Sequence, residues 1–138
     1  LNNINDGEGV PFSANLDITL RKVKVEKTKV FTSATKPLLL PCEVDEFGLK
    51  KNITLMFKTG DDMRQDAFVV QLFAVMDRVL KNVGLDLKFS IYNVISCTKD
   101  DGVLQFVPDS VTITKVRQEF GGDIGKWLKT ESDYFDDK

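Results

Sequence analysis

Alternating apolar and polar positions predict several short strands in the first third of the chain. The first strand is indicated by apolar residues two positions apart, which share one face: Leu16, Ile18 and Leu20. Val23 and Val25 are predicted to begin the next strand, and short apolar strands follow at residues 30–31 and 38–40. Because proline cannot donate a hydrogen bond to a strand ladder, Pro41 is expected to end the last of these.

A charged stretch and a strong strand come next. Residues 45–52 are rich in charge, contain Gly48 and are predicted to form a loop. Residues 53–59 then alternate between the two faces of a strand: Ile53, Leu55 and Phe57 on one, Thr54, Met56 and Lys58 on the other. Gly60 is expected to break this strand.

Helical spacing of apolar residues predicts one long helix over residues 63–82, with its apolar side heavily buried. The residues that define this side are Phe68, Leu72, Val75, Met76, Val79, Leu80 and Val83. Asp62 and Gln65 have the spacing of a capping box at the start of the helix, and Gly84 is predicted to end it.

The last third of the chain predicts a hairpin followed by helical pieces. Residues 85–95 alternate, Asp100-Asp101-Gly102 is a turn signal, and residues 103–107 form an apolar strand that Pro108 ends. A short helix or extended connector is expected over residues 111–120, then a break at Gly121-Gly122. Residues 123–129 should start another helix, anchored by two apolar side chains: Trp127 and Leu128. This order predicts an α+β fold, an antiparallel sheet with one long packed helix and a C-terminal helical segment.

Composition narrows the classes of function. The chain has 138 residues, a formal net charge of −2 and no histidine, which disfavours nucleic-acid binding and excludes Ser-His-Asp and Cys-His catalysis within it. Its two cysteines, Cys42 and Cys97, match no zinc or redox motif, so two reduced thiols are predicted. No apolar run is as long as a membrane-spanning helix requires. A chain that begins with Leu1 is expected to be a piece of a longer protein.

Residues 57–66 carry the most specific pattern, Phe-Lys-Thr-Gly-Asp-Asp-Met-Arg-Gln-Asp. This stretch resembles the Phe-Lys-x-Gly-Asp-Asp-x-Arg-Gln-Asp signature of phosphatidylinositol 3- and 4-kinases. Further similar stretches occur in the family's order at residues 31–37, 84–87 and 102–107, so the resemblance covers about residues 11–129. Within the family the pattern is most similar to the class III, vacuolar-sorting 3-kinases, with class I features near Ser33.

The resemblance implies the amino-terminal lobe of a kinase that uses ATP and Mg²⁺. Residues 1–15 would then be a flexible lead-in, residues 16–129 the lobe, and residues 130–138 the start of the next lobe. The implied reaction transfers the γ-phosphate of ATP to the 3-hydroxyl of phosphatidylinositol. A cytoplasmic protein, peripheral on endomembranes, is the location that such a function implies.

Lys58 is predicted to bind the phosphates of ATP, because a strand lysine places a compact cation near the sheet. A solvent-facing lysine at a strand end is the alternative for this residue taken alone. The resemblance implies that Asp66, in the first helical turn, and Tyr92 lie beside Lys58 in the inner pocket. Helix-end stabilisation for Asp66 and a core position for Tyr92 are the simpler readings.

Adenine recognition is implied at residues 104–107. The Gln105 carbonyl and the Val107 amide would pair with the adenine edge. Apolar side chains would contact the ring: Leu104, Phe106, Met56 and Leu39. Leu39 stands where class I enzymes have tryptophan.

Residues 31–37 resemble the loop that covers the ATP phosphates. In this loop Thr32 and Ser33 would contact phosphate oxygens. A simple turn is the alternative interpretation.

Neither the catalytic Asp-Arg-His nor the metal-binding Asp-Phe-Gly of these kinases occurs in the sequence. We therefore expect the Mg²⁺ ligands and the lipid site outside this chain, and no kinase activity from it alone. Two alternatives remain open at this stage, a lobe of a 4-kinase and a non-catalytic pseudokinase or interaction module. The expected partners are ATP, phosphatidylinositol through the second lobe and regulatory subunits, with self-association of an isolated lobe through its exposed apolar surface.

Overall fold

The computed structural model describes residues 9–131 apart from residues 14 and 34. It has an antiparallel sheet and three helices, so the α+β prediction is confirmed. The strands are β1 (Val10–Phe12), β2 (Asn15–Val23), β3 (Lys29–Val30), β4 (Leu38–Glu46), β5 (Leu49–Thr59), β6 (Val94–Ser96) and β7 (Asp101–Gln105). The helices are α1 (Arg64–Asn82), α2 (Ile113–Phe120) and α3 (Ile124–Glu131).

The sheet places its longest strands at its centre. Its order is β1-β2-β4-β5-β7-β6, with β3 paired to the free part of β4. The core lies on one face of the sheet and consists of Phe12, Ile18, Val23, Cys42, Val44 and Leu55. Phe12 belongs to β1, so part of the predicted lead-in is built into the sheet, while residues 1–8 lie outside the described residues.

Pro41 does not end a strand, contrary to the sequence prediction, because β4 continues through it to Glu46. Pro41 pairs with Thr54 of β5, and its carbonyl accepts a hydrogen bond from the Lys24 amide at 2.8 Å. In a strand, the nitrogen and the carbonyl of one residue point to the same side. The missing N–H of Pro41 therefore faces the gap between β2 and β3, where the ladder needs no donor.

The predicted charged loop over residues 45–52 is a tight hairpin instead. The β4–β5 ladder continues to the pair Glu46 and Leu49, which leaves two turn residues. Phe47 and Gly48 both have positive φ angles, 51° and 80°, which matches the two-residue turn favoured by strand twist. Charge alone predicted a loop here, although exposed strands also carry charged side chains.

Smaller corrections concern three other segments. Val25 lies in a 3₁₀ turn over Val25–Lys27 rather than in a strand. Most of residues 85–95 lacks strand pairing, and only Val94–Ser96 joins the sheet. The predicted hairpin is present, but its turn lies earlier in the chain, over residues 97–100, because Asp101 and Gly102 already belong to β7.

The long helix is confirmed at Arg64–Asn82, but its predicted burial is wrong. Val70 is the residue of α1 that is buried, whereas the predicted apolar side is exposed apart from the half-buried Leu80, for example 66% at Phe68 and 77% at Val83 just after the helix. Val79 follows Val70 by about two and a half turns, so the two side chains lie on opposite sides of the helix. The side of α1 that faces the sheet carries small residues. The large apolar residues form a stripe on the opposite side of this helix. We call Phe68, Leu72, Val75, Met76, Val79 and Val83 the outer stripe.

The end of α1 follows the prediction closely. Gly84 has a φ of 81°, its amide donates to the Lys81 carbonyl at 3.0 Å, and the Leu85 amide donates to Leu80 at 3.0 Å. These are the two hydrogen bonds of a Schellman motif, which requires a residue that tolerates the left-handed conformation.

Residues from Val107 onwards form a second compact unit. In it, the Thr112 hydroxyl accepts a hydrogen bond from the Lys115 amide at 3.2 Å and caps α2. Gly121 ends α2 with a φ of 63°, which confirms the predicted break. Trp127 of α3 is half-buried and Leu128 is exposed.

The two cysteines are expected to react at very different rates. Cys42 is 1% exposed, and burial raises the pKa of its thiol to about 11, whereas Cys97 is exposed. Because the thiolate is the reactive form, a thiol reagent at pH 8 should modify Cys97 quickly and Cys42 only after unfolding. A Cys97→Ser variant is the control, and fast reaction of that variant would contradict the prediction.

No helix among the described residues is both long and apolar enough to cross a membrane.

Candidate nucleotide-binding site

Three of the side chains predicted to contact adenine lie in one row across the sheet. Leu39 of β4 pairs with Met56 of β5, and Met56 pairs with Leu104 of β7. Residues paired across antiparallel strands point to the same face, so these side chains are neighbours. All three are half-buried. We call them the cross-strand row.

The cross-strand row lies on the face of the sheet opposite to the core. Leu55, next to Met56, points to the other face and belongs to the core cluster with its partner Leu40 packed against it. The sheet therefore uses one face to fold and presents apolar side chains on the other. A flat, apolar ring that stacks on this row would be buried against its side chains. Adenine binding requires an apolar surface of this kind.

Lys58 shares the face of the cross-strand row, because it follows Met56 by two positions in β5. Its ammonium lies 2.9 Å from a carboxylate oxygen of Asp61, and its side chain is 26% exposed. The lysine thus stands at the end of the row with a charged head that remains accessible. Phosphate binding by Lys58 stays a prediction, and a strand-end lysine that faces solvent stays the alternative interpretation.

The turn after β5 explains how Asp61 reaches Lys58. Gly60 has a φ of 72°, a conformation that glycine adopts without strain, and it folds the chain back beside the strand end. The Asp61 amide donates a hydrogen bond to the Asp100 carbonyl at 3.0 Å, which ties this turn to the β6–β7 hairpin.

Asp62 does not form the predicted capping box with Gln65. Its carboxylate accepts hydrogen bonds from Arg64 instead, from the amide at 3.1 Å and from the guanidinium at 2.8 and 2.6 Å. These contacts with Arg64 lower the pKa of the Asp62 carboxyl to about 2. Met63 is the N-cap residue of α1.

Asp66 lies in the first turn of α1 and is exposed. The ion pair of Lys58 in the structure is with Asp61, so the pairing of Lys58 with Asp66 stays a prediction. Helix-dipole stabilisation accounts for the position of Asp66 without further contacts.

Tyr92 is half-buried and lines a cleft of about 530 Å³ between α1 and the approach to β6. Ala67 and Val70 of α1 contribute to the opposite wall of this cleft. Its role as a wall of the inner ATP pocket stays a prediction.

The loop containing Thr32 and Ser33 lies at the same end of the sheet as Lys58. It connects β3 to β4, and Leu38, the first residue of β4, pairs with Phe57, which precedes Lys58. Thr32 and Ser33 are exposed, and the Ser33 carbonyl accepts a hydrogen bond from the Lys36 amide at 3.0 Å. Three connections therefore converge at this end: residues 31–37, 60–63 and 97–100.

The predicted hinge begins at the end of β7. Gln105 donates its amide to the Asn93 carbonyl at 2.8 Å and accepts a side-chain hydrogen bond from Asn93 at 2.9 Å. The Phe106 amide donates to the Thr54 carbonyl at 2.8 Å, which extends the pairing with β5. Val107 opens the second unit, and its carbonyl accepts a hydrogen bond from Ser110. Adenine pairing by Gln105 and Val107 stays a prediction.

The residue that sequence reasoning missed in this site is Asp61. Its signal was present in the order Lys-x-Gly-Asp, because a glycine between a strand lysine and an acidic residue allows the chain to fold back. The sequence prediction used Asp62 as a helix cap and gave Asp61 no contact with Lys58.

Comparison with known proteins shows which family this chain is similar to. The family described as phosphatidylinositol 3- and 4-kinase matches residues 52–134. A phosphatidylinositol 3-kinase C2 domain-containing subunit gamma from Homo sapiens is 37% identical over 107 residues, 78% of this chain and 7% of that protein. The phosphatidylinositol 3-kinase VPS34 from Saccharomyces cerevisiae is 34% identical over 109 residues, 79% of this chain and 12% of that protein.

A plant relative shows a higher identity over a shorter stretch. The phosphatidylinositol 3-kinase, root isoform, from Glycine max is 42% identical over 82 residues, 59% of this chain and 10% of that protein. The chain thus spans about a tenth of the length of the relatives that it matches.

Proposed function

Because the chain belongs to the phosphatidylinositol 3- and 4-kinase family, we propose that it supplies the ATP-binding lobe of a lipid kinase. The parent protein would transfer the γ-phosphate of ATP to the 3-hydroxyl of phosphatidylinositol. The observation that carries this proposal is the cross-strand row with Lys58 at its end, on the face of the sheet that the core leaves free. The names of the three relatives described above support the 3-hydroxyl over the 4-hydroxyl.

The proposed division of labour follows from the chemistry of phosphoryl transfer, which depends on positioning and charge neutralisation. The cross-strand row would hold the adenine ring, and the loop with Thr32 and Ser33 would lie over the phosphates. The Lys58 ammonium would neutralise charge on the phosphate oxygens.

Magnesium would be held by residues outside this chain in the proposed enzyme. Among the described residues, no three side chains of the ligating types converge on one point. Two acidic residues beside Lys58 in the chain, Asp61 and Asp62, are already engaged by Lys58 and Arg64. The lipid site, the catalytic base and any regulatory subunits also belong to the parent protein in this proposal.

The outer stripe supports the prediction that an isolated lobe self-associates, because its six exposed apolar side chains, five on α1 and one just after it, form a surface that water solvates poorly. In the parent protein we propose a cytoplasmic location, peripheral on endomembranes, as a phosphatidylinositol substrate requires. Both statements remain proposals.

The experiment that tests the function is incubation of the full-length parent protein with phosphatidylinositol vesicles and Mg-ATP. We expect phosphatidylinositol 3-phosphate, identified by chromatography of the deacylated product. A 4-phosphate product would keep the ATP site and contradict the 3-hydroxyl assignment. A folded parent protein that phosphorylates neither position would contradict lipid kinase function and favour a non-catalytic lobe.

A further inference from the structure

The ion pair between Lys58 and Asp61 is built into the fold by the turn that follows β5. Asp61 follows Lys58 by three positions, and the left-handed conformation of Gly60 folds the chain back between them. The hydrogen bond from the Asp61 amide to Asp100 holds the turn on the neighbouring hairpin. The backbone thus places the carboxylate beside the ammonium.

The two adjacent aspartates of this turn have different partners. Asp61 contacts Lys58 at 2.9 Å, whereas Asp62 contacts Arg64 at 2.6 Å. Arg64 donates hydrogen bonds to both carboxylate oxygens of Asp62. Asp62 is therefore engaged by Arg64 and not by Lys58. Lys58 and Arg64 therefore each pair with a different aspartate.

A lysine side chain has four rotatable bonds, and its ammonium has three N–H donors. The Asp61 carboxylate restricts the side chain while it occupies one of these donors, and two donors remain for phosphate oxygens. The Asp61 side chain is 39% exposed, so the pair is open enough for an anionic ligand to approach the ammonium.

We propose that Asp61 is a positioning residue for Lys58, which holds the ammonium at the end of the cross-strand row where the ATP phosphates bind. This inference rests on the proposed function, since it assumes that ATP binds on this face. Removing the charge of Asp61 is expected to weaken ATP binding about twofold to fivefold, the range typical of a partly exposed ion pair.

The test is a double-mutant cycle in the full-length parent protein, with ATP affinity measured by competition against a fluorescent ATP analogue. The four proteins are the wild type, Asp61→Asn, Lys58→Met and the double variant. Asp61→Asn should raise the dissociation constant of ATP in the wild-type background. It should have no further effect in the Lys58→Met background, because Asp61 acts through Lys58.

Asp62→Asn is the matched control, since it removes the neighbouring charge from the same turn without touching Lys58. We expect it to leave the affinity for ATP unchanged. Three results would overturn the proposal: tighter ATP binding by Asp61→Asn, an equal loss in the Lys58→Met background, or an equal loss in Asp62→Asn. The readout of this cycle is ATP binding, not lipid phosphorylation. Coupling between Asp61 and Lys58 would therefore support the proposal even if the parent protein failed to phosphorylate lipid. Failure to phosphorylate lipid would contradict only the proposed function.

Discussion

Replacing Lys58 by methionine is expected to lower the rate of lipid phosphorylation by the parent protein about a hundredfold to a thousandfold. Methionine keeps most of the apolar stem in the half-buried position beside Met56 but removes the charge that would neutralise the phosphates. Loss of one well-placed group that stabilises transition-state charge typically costs this much. The measurement is the initial rate of phosphatidylinositol 3-phosphate formation at saturating Mg-ATP.

Lys50→Met provides the matched control for this prediction. Lys50 lies in the same strand as Lys58, is exposed, and pairs with Asp45 at the far end of β5. Its replacement should leave the rate within about twofold of the wild type, as is usual for exposed positions distant from a site. Equal activity of Lys58→Met and the wild type would contradict the assignment of Lys58, and equal losses in the two variants would contradict its specificity.

Gly102→Ala is expected to destabilise the 138-residue chain by about 2–3 kcal/mol, a large effect for one added methyl group. A Cβ atom at this position would lie 2.7 Å from the Ile95 carbonyl oxygen and 2.7 Å from the sulfur of Met63. Met63 is 0% exposed and cannot swing into solvent, and Ile95 belongs to the paired strand β6. Urea unfolding followed by circular dichroism measures the change.

The control for Gly102 is Gly125→Ala in α3. There the added Cβ atom would meet the Asp123 side-chain oxygen, which accepts a hydrogen bond from the Lys126 amide, at 3.3 Å, so a small shift would relieve the contact, and alanine favours helix. We expect unchanged or slightly raised stability. A Gly102→Ala variant as stable as the wild type would show that the contact among Gly102, Met63 and Ile95 relaxes easily, which would contradict the close packing of Met63 on β7.

The position of Gly102 links the folding stability of the chain to the candidate nucleotide-binding site. It pairs with Lys58 across the β5–β7 ladder and contacts Met63, the residue before α1. A side chain here would press on Ile95 of β6 and on Met63, which follows the turn that carries Asp61. We therefore expect Gly102→Ala to affect nucleotide binding as well as folding.

The strand, turn and helix that carry the site were predictable because their signals are local. Alternation in residues 53–59 placed Met56 and Lys58 on one face, and β5 confirms that arrangement. The bounds of α1 followed from helical spacing and from Gly84, whose left-handed conformation ends the helix. These features depend on a few neighbouring residues, which is why a single sequence reveals them.

Errors occurred where a residue has more than one compatible structure. Charged residues such as those at 45–52 are compatible with a loop or with an exposed strand. The pairing of β4 with β5 places most of this segment in strands. Pro41 suits a strand end or a position where no partner needs its amide, and the arrangement of β2 and β3 created such a position. Neither outcome can be derived from the local pattern.

The sequence by itself determined the family signature and the α+β order of elements, and it supplied the lysine and apolar residues of the candidate site as predictions. Tertiary structure alone decided which residues meet. It aligned Leu39, Met56 and Leu104 into one row, selected Asp61 as the partner of Lys58, and turned the outer stripe of α1 away from the core. The physical reason is that periodicity specifies which side chains share a face, whereas register, turn geometry and packing specify what that face contacts.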